Sequence, residues 1–168
     1  MEQFNGYGAF IAMGTNLGDK LDNLKSALKK IEEKGNKVVL KSNIYQTKPY
    51  GVKDQPNFYN AVIGILTPYK PLALLNVLKT IEEEMGRQET KKWGPRIIDL
   101  DIILYGNIIL DDDRLQIPHP DFRNRDFVLR PLKEIARMIV DPVSEKTMGE
   151  LYEELENDSC EKVASFEK

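Results

Sequence analysis

The sequence predicts an α/β protein of the α+β kind, with a ferredoxin-like βαββαβ core in which two helices pack on one face of an antiparallel sheet. Apolar residues come in short strand-like runs and in stretches with three- and four-residue spacing, ordered strand, helix, strand, strand, helix, strand. Glycine or proline stands where one period gives way to the next, as at Gly14, Gly35, Pro71 and Gly86. A length of 168 residues is enough to bury one core, so the whole of 1–168 is read as a single domain.

The run 7–13, closed by Gly14, reads as the first strand. Leu21, Leu24, Leu28 and Ile31 then recur at helical spacing, and Gly35 supplies a C-cap where a left-handed backbone is easiest. The segment 38–45 reads as a second strand. The segment 58–66 is apolar on both faces and reads as a central third strand. Pro71 suits the first turn of the second helix, whose buried stripe is Leu74, Leu75, Leu78, Ile81 and Met85. Glu82-Glu83-Glu84 reads as the exposed side of that helix. The fourth strand is 97–105. Beyond it, turns at Gly106-Asn107 and Asp111-Asp112-Asp113 flank apolar segments 108–110 and 115–117, an added hairpin. Short helices are expected to begin at Pro131 and at Thr147, where Thr147 and Glu150 have capping-box spacing. The acidic stretch 150–161 reads as a solvated helix.

A net charge of −3 with 30% charged residues describes an ordinary soluble protein and argues against nucleic acid as a partner. The single cysteine, Cys160, cannot form an internal disulfide, which fits a reducing cytoplasm. No apolar stretch approaches the roughly 18–20 residues of a membrane span, and the start of the chain lacks a signal-peptide pattern. A monomer without membrane partners is expected, since no heptad repeat or interface helix stands out.

Chemistry concentrates at Trp93-Gly94-Pro95-Arg96-Ile97-Ile98-Asp99-Leu100-Asp101. Asp99 and Asp101 interrupt a core strand and, two residues apart, face the same way. Two carboxylates there are costly unless compensated, either by divalent cations bridging phosphate oxygens or by a neighbouring arginine. Arg87, Lys91, Lys92 and Arg96 cluster beside them, and Arg114, Arg123, Arg125 and Arg130 form a second group. Such groups suit a polyphosphate ligand or an ordinary solvated surface. No GxxxxGK[ST] or GxGxxG motif is present, and Gly14-Thr15-Asn16-Leu17-Gly18 is too short to define a phosphate cradle.

His119, the only histidine, sits in Pro118-His119-Pro120, as a phosphate donor or a structural turn residue. Phe58 and Asn60, two apart on one strand face, could stack on a flat heterocycle and read its edge, or belong to the core. Phe127 carries the same two readings, and Trp93 could stack on a base or anchor its loop. The irregular segments 46–57 and 86–96 are long for a compact domain, and both are expected at the sheet end that carries the carboxylates.

The motif Trp93-Gly94-Pro95-Arg96-x-x-Asp99-x-Asp101-Ile102-Ile103 resembles the signature of the 6-hydroxymethyl-7,8-dihydropterin pyrophosphokinase family. Matching segments occur in order at 14–17, 45–51, 54–60, 114–115, 117–120, 124–125 and 127. The resemblance covers nearly the whole chain and weakens after about residue 140. It implies diphosphate transfer from ATP to the pterin hydroxymethyl group, giving AMP and the pterin diphosphate in folate biosynthesis. Carried over by position, Asp99 and Asp101 would bind two Mg2+ ions and, with Arg96 and Arg87, form the catalytic set. Thr47, Pro49, Tyr50, Phe58, Asn60 and Phe127 would hold the pterin. Lys79, Glu82, Arg87, Lys92, Trp93, Arg96, Ile102, Arg114, Gln116, His119 and Arg125 would lie along ATP.

Three departures concern detail. Phe58 stands where a tyrosine is common, Glu89 where a base is common, and Lys92 where an arginine is common. The loops 46–56 and 87–96 are expected to close over the reactants, and 87–96 is one residue shorter than in some relatives. Shortening it further should then lower turnover and leave the fold intact. Competing readings from the residues alone are a two-metal nucleotidyltransferase and an effector-binding ferredoxin-like module.

Overall fold

The computed structural model describes residues 6–48, 54–86 and 97–167. The elements run β1 (Tyr7–Thr15), α1 (Lys20–Glu33), β2 (Lys37–Lys41), β3 (Ile44–Thr47), β4 (Phe58–Thr67), α2 (Pro71–Glu84), β5 (Asp99–Tyr105), β6 (Leu110–Asp112), β7 (Leu115–Ile117), α3 (Asp126–Ala136), α4 (Met148–Glu153) and β8 (Glu161–Ala164). A 3₁₀ turn at Phe122–Asn124 precedes α3. Every ladder is antiparallel, in the order β5-β1-β4-β3-β8 with β2 also paired to β4. The third expected strand therefore lies between the first and the second, as a split β-α-β pattern requires.

Strand alternation assigns the two faces. Ala9, Ile11, Met13, Ala61, Ile63, Ile65, Leu100 and Ile102 bury against Leu24, Ala27 and Ile31 of α1 and Leu74, Leu78 and Ile81 of α2. Val62, Ile103 and Leu104 bury on the opposite face against Val128, Leu129 and Leu132 of α3 and Met148 and Leu151 of α4. The sheet is thus covered on both sides, which accounts for the doubly apolar β4. Consecutive Ile103 and Leu104 share a face because the β1–β5 register slips between Phe10 and Ile11.

Four local features depart from the sequence reading. The segment read as one second strand is two, broken at Ser42-Asn43. There the Ser42 hydroxyl accepts from the Val62 amide (2.9 Å), and the Asn43 amide turns to the Glu134 carboxylate (3.0 Å). The helix expected from Pro131 begins at Asp126 and carries Pro131 inside it. Burial of Val128, Leu129, Leu132 and Ala136 on one stripe outweighs the hydrogen bond that proline forgoes. The acidic stretch 150–161 is not one helix: α4 keeps its Thr147–Glu150 capping box but stops at Glu153, and the chain returns as β8 on the edge of β3. Finally, Glu82 is 5% exposed, unlike Glu83 and Glu84, so the glutamate run is not uniformly an exposed face.

The two predicted glycine stops hold. Gly35 and Gly86 follow their helices with φ of +98° and +86°, the left-handed conformation that a side chain would oppose.

Candidate active site

One end of the sheet gathers most of the described candidate residues. Asp99 pairs with Gly14, and Gly14 pairs with Asn60 on its other side. Asp101 pairs with Ala12, which pairs with Val62. Leu100 and Ile102 are buried with α1 and α2, so Asp99 and Asp101 point to the α3 face, with Asn60 and Val62. Asp99 is half-buried and Asp101 exposed. Asp99 and Asn60 stand two strands apart, about 10 Å by ordinary strand spacing.

Gly14 keeps the floor between them low. A methyl group there would stand 3.1 Å from Asn60 Oδ1 and 3.8 Å from Phe58 Cδ1. The turn that follows ties down the approach to β4. Asn16 Nδ2 donates to Gln55 Oε1 (2.7 Å) and to the Pro56 carbonyl (3.1 Å), and Lys20 Nζ donates to the Asn57 carbonyl (3.1 Å). The Gly14–Gly18 segment is therefore at least a loop clamp beside the site.

On the β3–β4 side, Asn60 is buried and its Nδ2 donates to Thr47 Oγ1 (2.7 Å), while Thr47 pairs with Phe58 in the ladder. Fixing the amide nitrogen on Thr47 sets the direction of the Asn60 carbonyl oxygen. Thr47 also lines a cleft of about 310 Å³ together with Lys48, Asp121, Asn124, Arg125, Asp126, Phe127 and Ser159. Within it the Arg125 guanidinium stands 5.6 Å from the Phe127 ring centroid and 3.6 Å from Asp121.

His119 is held against the carboxylate strand, its amide donating to the Ile103 carbonyl (3.0 Å). Its Nδ1 accepts from the Asp121 amide (3.1 Å), so the neutral ring carries its proton on Nε2. Burial, and then the Arg125 charge, push the imidazole down to about 4 against the opposing pull of Asp121. The ring is thus a neutral N–H donor at physiological pH.

Glu82 reaches across from α2, and its carboxylate accepts the Leu100 amide (2.8 Å), the N–H of the residue between the two aspartates. This contact steadies the backbone that presents the pair. Its signal was available: Glu82 lies four residues after Leu78 and eight after Leu74, on the buried stripe.

Other candidates are placed apart. The Ile102 side chain lies in the α1–α2 core, opposite the carboxylates, leaving only its backbone for a ligand on their face. Lys79 is exposed on α2, which packs on that same opposite face. Arg114 pairs with Asp112 (3.1 Å) and Gln116 with Asp111 (3.3 Å) on the β6–β7 hairpin, whose β7 packs near β5. Pro49, Tyr50, Arg87, Lys92, Trp93 and Arg96 lie outside the described residues. Asp121 and Ser159, which line the cleft, carried no sequence signal: an acidic residue in a turn and a serine near the end of a chain have no pattern.

Among solved structures the chain is similar in fold to wild-type Plasmodium falciparum HPPK-DHPS, with a TM-score of 0.71 and 18% identity, covering 91% of this chain and 45% of that one. Of curated relatives, the 2-amino-4-hydroxy-6-hydroxymethyldihydropteridine pyrophosphokinase of Haemophilus influenzae is 48% identical over 138 residues, 82% of this chain and 86% of the relative. The enzyme of the same name from Aquifex aeolicus is 37% identical, covering 86% of this chain and 90% of the relative. The folic acid synthesis protein fol1 of Pneumocystis carinii is 40% identical across 94% of this chain, which spans only 21% of that longer protein. The family model described as 7,8-dihydro-6-hydroxymethylpterin-pyrophosphokinase (HPPK) matches residues 10–137, the span that holds the carboxylate pair, the Asn60–Thr47 contact and Phe127, and the chain belongs to that family.

Proposed function

We propose that this protein is one pterin pyrophosphokinase domain over 1–168, acting as a cytoplasmic monomer. It transfers diphosphate from ATP to the hydroxymethyl group of 6-hydroxymethyl-7,8-dihydropterin, releasing AMP and the pterin diphosphate for folate biosynthesis. The observation that carries this reading is the single row Asp99–Gly14–Asn60, which sets a carboxylate pair two strands from an amide fixed for edge recognition. Family membership supports the reaction class. Among the described helices none is long and apolar enough to cross a membrane.

The donors fit a hard divalent cation. Asp99 and Asp101 are oxygen ligands on one strand face, and the only histidine is occupied on Nδ1 by a backbone amide. They would hold two Mg2+ ions, which when bound neutralise the triphosphate charge. The remaining work is positioning, which is most of what phosphoryl transfer asks of a protein. Phe58 and Phe127 offer rings to the faces of the pterin, and the Asn60 carbonyl, oriented by Thr47, accepts from its N–H edge. Arg125 and the His119 Nε2–H provide donors for phosphate oxygens, with Arg114, Gln116, Lys79 and the basic residues of 87–96 along the nucleotide. Glu82 acts on the aspartates through the Leu100 amide.

The test is incubation with MgCl2, ATP and 6-hydroxymethyl-7,8-dihydropterin, with the nucleotides resolved by chromatography. Pterin-dependent AMP should form, and Asp99→Ala and Asp101→Ala should each lower its rate by at least about 10²-fold. Pyrophosphate in place of AMP would point to nucleotidyl transfer. No product from the folded wild type would leave an effector-binding module.

A further inference from the structure

The C-terminal segment after α4 lies beyond the family-matched span of 10–137, yet it reaches the cleft. It makes two connections there. On one side, β8 pairs with β3, setting Tyr45 opposite Lys162 and Gln46 opposite Glu161, immediately before the cleft residues Thr47 and Lys48. On the other, the Ser159 amide and hydroxyl both donate to Asp126 Oδ2 (2.7 and 2.8 Å), at the first residue of α3 and next to Phe127. Between the two, Asp158 is fixed by Arg130 (2.6 Å), by the Tyr152 hydroxyl and by the Cys160 amide (2.9 Å), so the strap is held at its turn.

The walls of the cleft come from elements some eighty residues apart, the end of β3 and the start of α3. Further ties lie along α3: the Arg130 guanidinium stands 5.1 Å from the Tyr45 ring centroid, and Glu134 accepts from the Tyr45 hydroxyl (2.6 Å) and the Asn43 amide (3.0 Å). Those contacts pin the middle and far end of the helix, and at its Phe127 end the described link to the strap is the Asp126–Ser159 pair. A charged acceptor with two short donors is a strong link for a partly exposed site.

We propose that the strap 158–164 is a positioning element of the pterin subsite, with Asp126 and Ser159 as positioning residues that set the distance between Phe127 and the Thr47–Asn60 pair. The assignment rests on the pterin reading of the cleft given above. Specificity for the flat substrate is then tuned by a part of the chain outside the family-matched span.

The experiment uses the full chain carrying Asp126→Ala, Ser159→Ala, both together, or Lys162→Pro, which takes one N–H from the β8 edge. Steady-state KM for 6-hydroxymethyl-7,8-dihydropterin and for ATP are measured beside thermal melts. Wild-type AMP formation is the control for the reaction itself, and its failure would count against the proposed function rather than the strap. Asp126→Ala should raise the pterin KM about tenfold, the scale of one charge-assisted hydrogen bond, with the ATP KM within about twofold. Ser159→Ala should show a smaller rise and Ser159→Thr should restore it. The double variant should fall short of the product of the single effects, because both remove one link. Lys162→Pro should raise the pterin KM selectively if it folds. Unchanged pterin KM in folded Asp126→Ala, or equal changes in both KM values, would overturn the proposal.

Discussion

His119 shows how much one side chain's surroundings decide. In sequence it is a lone histidine with two readings. In the fold it is a neutral ring with its proton on Nε2, because Nδ1 is taken by the Asp121 amide and burial keeps it near a pKa of about 4. The unfolded chain, with an ordinary value near 6.5, binds a proton that the folded protein refuses between those limits. Stability must therefore fall as pH drops from about 6.5 to 4. Melting temperatures of the ligand-free protein across that range should show the slope, and His119→Gln should flatten it. Glu82 teaches the complementary lesson. Its composition reads as surface, while its spacing after Leu74 and Leu78 places it on the buried stripe. The spacing governed, because a backbone N–H at Leu100 was there to donate to the buried carboxylate.

Among the elements, the turn between α3 and α4 depends on one buried acid. Asp141 is fully buried and accepts from Arg123 (2.5 and 2.9 Å), the Ser144 hydroxyl (2.7 Å) and the Val143 amide (3.0 Å). Burial alone would raise its pKa, but these donors outweigh that and hold it down to about 2. The contribution is present above the ordinary carboxyl value of 3.8 and is lost as pH falls through about 2. Asp141→Ala strands several donors and should lower unfolding free energy by about 2–4 kcal/mol in urea titration, with the m-value unchanged. The helix boundaries follow the same competition. Pro131 predicts a helix start, but the apolar stripe from Val128 to Ala136 carries the helix through it.

At the scale of the whole molecule, the sheet separates a core that only supports from a core that also shapes the site. Ile63 faces α1 and α2, whereas Leu129 belongs to α3, which carries Phe127 into the cleft. Both side chains are fully buried, so Ile63→Ala and Leu129→Ala should each cost about 2–4 kcal/mol. Steady-state assays well below the melting transition should separate them. Ile63→Ala should leave the pterin KM near wild type, and Leu129→Ala should raise it. Equal effects on KM would argue that the two cores respond as one.

The order of strands and helices, the identity of the central strand and the shared face of Asp99 and Asp101 are written in the sequence, because each depends on periods of 2 and 3.6 residues that a linear chain displays. The glycine stops at Gly35 and Gly86 are legible for the same local reason. What only the tertiary structure decided depends on groups distant in the chain. Asn60 gains its orientation from Thr47, the low floor at Gly14 matters because Phe58 and Asn60 lie over it, and the second face of the sheet is closed by α3 and α4. The return of β8 to the edge of β3 is the extreme case. Nothing in an acidic tail foretells an edge strand, since its pairing is supplied by the backbone of β3 and its anchor by Arg130 and Asp126.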